Sequence, residues 1–252
     1  MSEELEKWRY PRFFSDIIDE EHGIIYMNDE DSKHIVTVLR LKTGDKAIVC
    51  DKKSNDYLCE LSSIDDQRMA QFSILEKKKN EAEPDKEITL YQAIPKNDKL
   101  DFIVQKATEL GAAIIVPFLS KRCVSRPDDK SAGKKNVRYQ KIALEAAQQS
   151  GRGIVPQIQN MKTLKQAVAD DDSEVKIVFY EGGGERLTDI VNQNTKSVAV
   201  FIGPEGGFEE SEVELIESAG GVRATLGKRI LRTQTAPVAA LTAIMLLTGN
   251  LD

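Results

Sequence analysis

Hydrophobic positions along this chain follow two rhythms, and the change falls at the charged run 76–86. Before it, short β-branched and apolar segments at 23–27, 46–50, 57–61 and 69–74 are separated by turn signals such as Thr43-Gly44-Asp45. That spacing predicts a small β-barrel or sandwich. A helical turn or two is expected within 30–39, where Ile35, Val38 and Leu39 share a face.

Beyond the charged run, apolar strands alternate with amphipathic helices. Strands are expected at 88–94, 113–118, 175–180, 197–202 and 222–226, and helices at 99–110, 134–149, 163–169, 185–191, 209–219 and 235–247. In the first helix Leu100, Ile103, Val104, Ala107 and Leu110 fall on one face, and Gly111 follows as a stop. Such alternation implies an α/β fold with a mostly parallel, covered sheet. The run 76–86 reads as a linker, giving a β-domain at 1–75 and an α/β domain at 76–252.

Composition narrows the class. With 40% hydrophobic and 30% charged residues the chain is an ordinary globular one. No stretch approaches the roughly 18 apolar residues of a membrane span, and the first ten residues mix Glu, Lys and Arg with no secretory h-region. Three dispersed cysteines fit a reducing, cytoplasmic setting. Two histidines, with no C-x-x-C or H-x-x-x-H, give no reason to expect a metal.

The net charge of −6 is unevenly spread. Residues 1–75 carry 10 Lys and Arg against 16 Asp and Glu, whereas 121–152 hold nine basic residues and three acidic ones. A local basic cluster is the electrostatic footprint of phosphates, and equally the look of a solvated face.

Ligands of open α/β sheets sit past the carboxyl ends of strands, so the loops after strands carry the candidate chemistry. Glu181-Gly182-Gly183-Gly184 follows one strand and, taken alone, reads more readily as a flexible strand–helix connection than as a ligand loop. Gly203-Pro204-Glu205-Gly206-Gly207-Phe208 follows another, and is a stiff, sharply turned loop with exposed amides. The third, from Gly227 to Ala236, sets Ile230 and Leu231 among Lys228, Arg229 and Arg232. It suits a pocket holding a flat apolar ligand part beside a cation. No G-x-G-x-x-G, P-loop or G-x-S-x-G is present.

In order and spacing, Gly203–Phe208 and the run 226–236 resemble the RsmE family of ribosomal RNA methyltransferases, within the SPOUT superfamily. The resemblance extends over nearly the whole chain: residues 9–14, 34–40 with Gly44-Asp45, 96–111, 121–124 and 145–152 match further family segments. It implies a SPOUT-type α/β methyltransferase domain with a C-terminal trefoil knot, which general topology rules disfavour, preceded by a PUA-like β-barrel RNA-binding domain. It also implies a homodimer, S-adenosylmethionine as cofactor, and 16S RNA of the small ribosomal subunit as partner. The product would be 3-methyluridine, made by methylating N3 of one specific uridine.

The donor, in a bent shape, would be held by Tyr180, Glu181, Gly182, Ile202, Gly203, Pro204, Glu205, Gly206, Gly207, Leu226, Gly227, Ile230, Leu231, Arg232, Thr235 and Ala236. Methylation at N3 requires loosening its proton and stabilising charge on the uracil oxygens. Arg232 is the candidate for that charge or for a neighbouring phosphate. Glu205 is a candidate base, or only a brace of its loop. Where the family usually has Glu, this chain has Gln234, which cannot act as a carboxylate base. Arg9, Arg12, Arg40, Arg122, Lys134, Lys135, Arg138 and Arg152 are the candidates for RNA binding. A non-catalytic RNA-binding assembly factor is the alternative; binding of the donor separates the two.

Overall fold

A computed structural model describes residues 10–251, so the expectation for Arg9 lies outside the described residues. The chain divides into two compact units, Met1–Glu83 with Ala147–Val155, and Pro84–Ala146 with Pro156–Asp252.

In the first unit, β1 (Arg12–Phe14), β2 (Ile17–Asp19), β3 (Ile24–Tyr26), β4 (Lys46–Cys50), β5 (Asn55–Ile64) and β6 (Ala70–Lys79) form one sheet in the order β1-β4-β5-β6-β3-β2. Among the described residues no ladder joins the end strands β1 and β2, so the expected barrel is not closed by strand pairing. Period-two alternation drives β5, where Tyr57, Cys59 and Leu61 turn inward onto Ile25, Met27, Ile35, Val49 and Phe72. The helical stretch begins as α1 (Asp29–Lys33), where the Asn28 side chain accepts the Asp31 N–H. It continues as a π-helical turn, His34–Leu39, closed by Arg40 in the left-handed region at φ 55°.

The charged run is not wholly linker. Its first four residues extend β6, pairing Glu76, Lys77, Lys78 and Lys79 with Leu58, Tyr57, Asp56 and Asn55. The backbone ladder needs no apolar side chain on an exposed edge, and the Lys77 ammonium lies over the Tyr57 ring while bonding Glu20.

The second unit is an eight-stranded sheet in which every ladder is parallel. Its strands are β7 (Glu87–Ala93), β8 (Ile114–Leu119), β9 (Gln157–Ile158), β10 (Lys162–Thr163), β11 (Val175–Phe179), β12 (Glu185–Arg186), β13 (Ser197–Ile202) and β14 (Val222–Thr225). The order is β10-β8-β7-β13-β11-β14-β12, with β9 also on β8. The helices are α2 (Lys99–Glu109), α3 (Asp129–Ser150), α4 (Leu164–Ala169), α5 (Leu187–Ile190), α6 (Glu210–Ser218) and α7 (Thr235–Leu247). The helix expected at 185–191 is therefore shorter, because Glu185 and Arg186 pair with β14 first.

Aromatic packing places the loops. Tyr91 stacks on Phe201 at 4.4 Å, and Phe118 on Phe208 at 6.1 Å between centroids. Phe208 is fully buried at the end of the Gly-Pro-Glu-Gly-Gly loop and ties it to the core. On α7, Pro237, Ala240, Leu241, Ile244 and Met245 are buried, while Leu246 is 61% exposed.

Candidate active site

The parallel ladders bring three strand ends to one level. Phe179 of β11 lies opposite Ile202 of β13 and Ala224 of β14, so the loops after these strands leave the sheet side by side. Their contacts bind them into one structure. Gly207 is in the left-handed region at φ 68°, and a Cβ there would stand 2.2 Å from the Glu181 carboxylate. The Oγ1 of Thr233, from the third loop, donates to the Gly203 carbonyl at 2.9 Å. Tyr180 folds over Gly182, whose absent Cβ would be 2.3 Å from the ring.

The expected donor-binding residues Tyr180, Glu181, Gly182, Ile202, Gly203, Pro204, Glu205, Gly206 and Gly207 thus belong to two touching loops. Leu226, Gly227, Ile230, Leu231, Arg232, Thr235 and Ala236 form the third loop and the start of α7. Ile230 is 87% exposed, Leu231 is half-buried and Arg232 is exposed. The carbonyl of Arg232 receives the N–H groups of Thr235 and Ala236, which fixes its position at the head of α7.

Glu205 is held by two contacts. Its carboxylate accepts from the Lys99 ammonium at 2.6 Å and from the Lys96 backbone N–H at 3.1 Å. Partial burial alone would raise its pKa, but the Lys99 hydrogen bond and the backbone N–H bonds outweigh it and hold it below the ordinary value. That makes it a weaker base.

Several supports were not singled out from the sequence. Arg223, on β14, places its guanidinium 5.2 Å from the Tyr180 ring and bonds Glu217 and Glu210. Tyr180 in turn has a raised pKa, chiefly through its hydrogen bond to Glu210. Glu212, almost wholly buried, accepts from Ser120 Oγ, the Lys121 N–H and the Glu209 N–H. Gln92 is fully buried at the end of β7. The available signal was a polar or charged residue flanked by apolar neighbours in a strand, as at Gln92 and Arg223.

Among the expected RNA-binding residues, Lys134, Lys135 and Arg138 share α3. Arg40, Arg122, Lys134 and Arg138 are exposed and Lys135 is half-buried. Arg122 donates to the Gly206 carbonyl at 2.8 Å, and Arg138 pairs with Asp101. Two expectations need correction. Arg12 bonds both Asp56 carboxylate oxygens, at 2.8 and 3.0 Å, with its side chain only 11% exposed. Arg152 is 3% exposed and turned onto Glu83. A buried guanidinium needs a carboxylate beside it, and both are engaged this way instead of facing a phosphate.

Residues 82–245 match the family described as RNA methyltransferase domain, and residues 28–70 the RNA methyltransferase PUA domain. The ribosomal RNA small subunit methyltransferase E of Bacillus subtilis (strain 168) is 38% identical over 233 residues, 89% of this chain and 91% of that protein. Its counterpart in Buchnera aphidicola subsp. Schizaphis graminum (strain Sg) is 30% identical over 98% of this chain and 100% of its own length. A crystal structure of a ribosomal RNA small subunit methyltransferase E from Neisseria gonorrhoeae bound to S-adenosyl methionine is 33% identical. It has a TM-score of 0.86 and covers 94% of this chain and 98% of that one.

Proposed function

Because the chain belongs to the ribosomal RNA small subunit methyltransferase E family, we propose that it transfers a methyl group from S-adenosylmethionine to N3 of one uridine in 16S RNA. The observation that carries this reading is the joining of the three loops after β11, β13 and β14 through Glu181–Gly207 and Thr233–Gly203. The residues present fit the donor. Glycines at 203, 206 and 207 leave their backbone without side chains in this loop, and the buried Oε1 of Gln234 has no hydrogen-bond partner among the described residues. Such an acceptor suits the N–H or O–H groups of a nucleoside or amino-acid ligand.

When bound, S-adenosylmethionine supplies a methyl group on a positively charged sulfur and leaves as a neutral thioether. The chain's own residues do the rest. The glycine loops would hold the donor so that its methyl lies in line with the uracil N3. Arg232 stabilises negative charge on the uracil oxygens as the N3 proton passes to solvent. Glu205 braces its loop through Lys99 and Lys96 and takes no proton. Gln234, being neutral, is a hydrogen-bonding residue only.

The first unit is the RNA-binding part, supported by the PUA match, and Arg40, Arg122, Lys134, Lys135 and Arg138 are its and the second unit's candidates for the RNA backbone. The domain following it is of SPOUT type, with a trefoil knot near its C-terminal end, and acts in the cytoplasm as a homodimer. Methyl transfer from labelled donor to small-subunit RNA, free and in assembled subunits, with nucleoside analysis of the product, tests the reading. The expected product is 3-methyluridine; a different methylated nucleoside overturns it. RNA binding without any donor binding would leave the protein as a non-catalytic assembly factor.

A further inference from the structure

Gln92 sits between Tyr91 and Ala93 in β7, is fully buried, and lies opposite Ile202 in the β7–β13 ladder. It is therefore level with the start of the Gly-Pro-Glu-Gly-Gly loop. Its Nε2 donates to the Ala93 carbonyl at 2.9 Å and to Thr233 Oγ1 at 3.3 Å. A threonine hydroxyl has a single proton, and Thr233 directs it to the Gly203 carbonyl at 2.9 Å. Donation thus runs one way, from Gln92 to Thr233 to Gly203. An amide N–H cannot accept, so the Thr233 proton is directed away from Gln92 and to Gly203.

Thr233 adjoins Arg232, and Gly203 opens the loop that receives the donor. We propose that Gln92 is a positioning residue for the methyl transfer: by setting the direction of the Thr233 hydroxyl, it fixes the Arg232 segment against the glycine loop. This rests on the reading of the site as a methyltransferase centre.

Burial gives the relay its strength. Gln92 and Thr233 are 0% and 5% exposed, and in such surroundings a made hydrogen bond is stronger and an unmade one costlier. A methionine would fill the same length with no polar atoms. The amide instead leaves its Oε1 buried without a partner among the described residues. That is unfavourable, so space-filling alone does not account for a glutamine here; the donation to Thr233 does.

The test compares Gln92→Met, Thr233→Val, the two combined, and Thr233→Ser, which keeps the hydroxyl. Calorimetry with S-adenosylmethionine, amide hydrogen exchange across 203–207 and 226–234, and the split of kcat against KM for RNA are measured on the full chain. Gln92→Met and Thr233→Val are each expected to weaken donor affinity about tenfold and to speed exchange in both loops together. They should lower kcat with the KM for RNA changed less than about twofold. Thr233→Ser should recover most of the affinity lost in Thr233→Val. The double variant should be no worse than Thr233→Val, since both remove one relay.

Additive losses, a Thr233→Val variant with wild-type affinity and exchange, or faster exchange spread evenly over the domain would each overturn the proposal. Should Gln92→Met fail to fold, the Thr233 pair decides alone. Failure of the wild-type protein to bind donor or methylate RNA would sink the functional reading instead. Exchange in the two loops, which needs neither ligand, would still report on the relay.

Discussion

Arg152 and Glu83 form a two-pronged ion pair, Nε donating at 3.2 Å and Nη2 at 2.9 Å, with side chains 4% and 11% exposed. The same carboxylate accepts the backbone N–H groups of Gly153 and Ile154, each at 2.9 Å. Glu83 thereby fastens the 147–155 segment within the first unit. Removing one member of a buried pair strands the other charge, a loss of about 3–5 kcal/mol. Arg152→Met is accordingly expected to destabilise the protein by about 3 kcal/mol in chemical denaturation. Unchanged stability with a flatter salt dependence of RNA binding would return Arg152 to the RNA-contacting set.

The Glu205–Lys99 contact makes a second prediction, one that separates brace from base. General acid–base catalysis contributes about 10²–10⁴-fold, so a true base would cost that much on Glu205→Gln. A brace costs less, and an activity loss of under about tenfold is expected. The pH dependence has a definite sign. The folded-state pKa is depressed, so the stability Glu205 contributes is fully present above the 4.5 of an ordinary glutamate and fades as pH falls through that value and below. The stability difference between the wild-type protein and Glu205→Gln should therefore be flat near neutrality and shrink under acid. Thermal melts across that range would show it; a difference that grows on acidification would refute the brace.

Gly207 cannot carry a side chain for two separate reasons. Its φ of 68° strains L-residues, and the Glu181 carboxylate occupies the place of a Cβ. Gly207→Val is expected to abolish S-adenosylmethionine binding while leaving the first unit folded. Calorimetry with circular dichroism would decide it, since unchanged affinity in folded protein removes this loop from the donor site.

How far the sequence foretold the structure depends on the element. β13 and α7 have the expected bounds, because Val198–Ile202 form an apolar run ended by Gly203 and α7 carries no charge along its length. β9, β10 and β12 have two residues each, too few to show any period, and exist only because a neighbouring strand offers a ladder. Lys77–Lys79 form strand by pairing with β5, a non-local cause that composition hides. The three glycine-bearing loops were legible because glycine and proline specify local backbone. The fates of Arg12 and Arg152 were not: whether an arginine meets a phosphate or a distant Asp56 or Glu83 depends on partners far along the chain.

The basic face of α3 gives a fourth prediction. Lys134 is exposed, Lys135 half-buried, and Arg138 exposed beside Asp101. Neutralising all three should lower the slope of log affinity against log salt by about two, since each phosphate contact releases roughly 0.7–0.9 of a counterion. Donor affinity should not change. An unaltered slope in filter-binding titrations would make this helix face merely solvated.

The last prediction concerns the association of two copies proposed above. A helix without charge on any face must be covered around its circumference, yet α7 is covered by its own unit on one side only. Leu241, Ile244 and Met245 are buried there, whereas Val238, Ala239 and Ala243 are half-buried and Leu246 is 61% exposed. Leu241 and Met245 would thus report on folding if made polar, and Leu246 on association. Most soluble oligomers are symmetric, and a two-fold dimer would set the same face of α7 against itself. Because α7 starts directly after Arg232, such an interface would also steady the third loop of the site. Leu246→Asp is therefore expected to shift the protein from dimer to monomer in light scattering, with little change in secondary structure and a large drop in methyl transfer. A wild-type protein that is monomeric and fully active would remove the dimer from the mechanism.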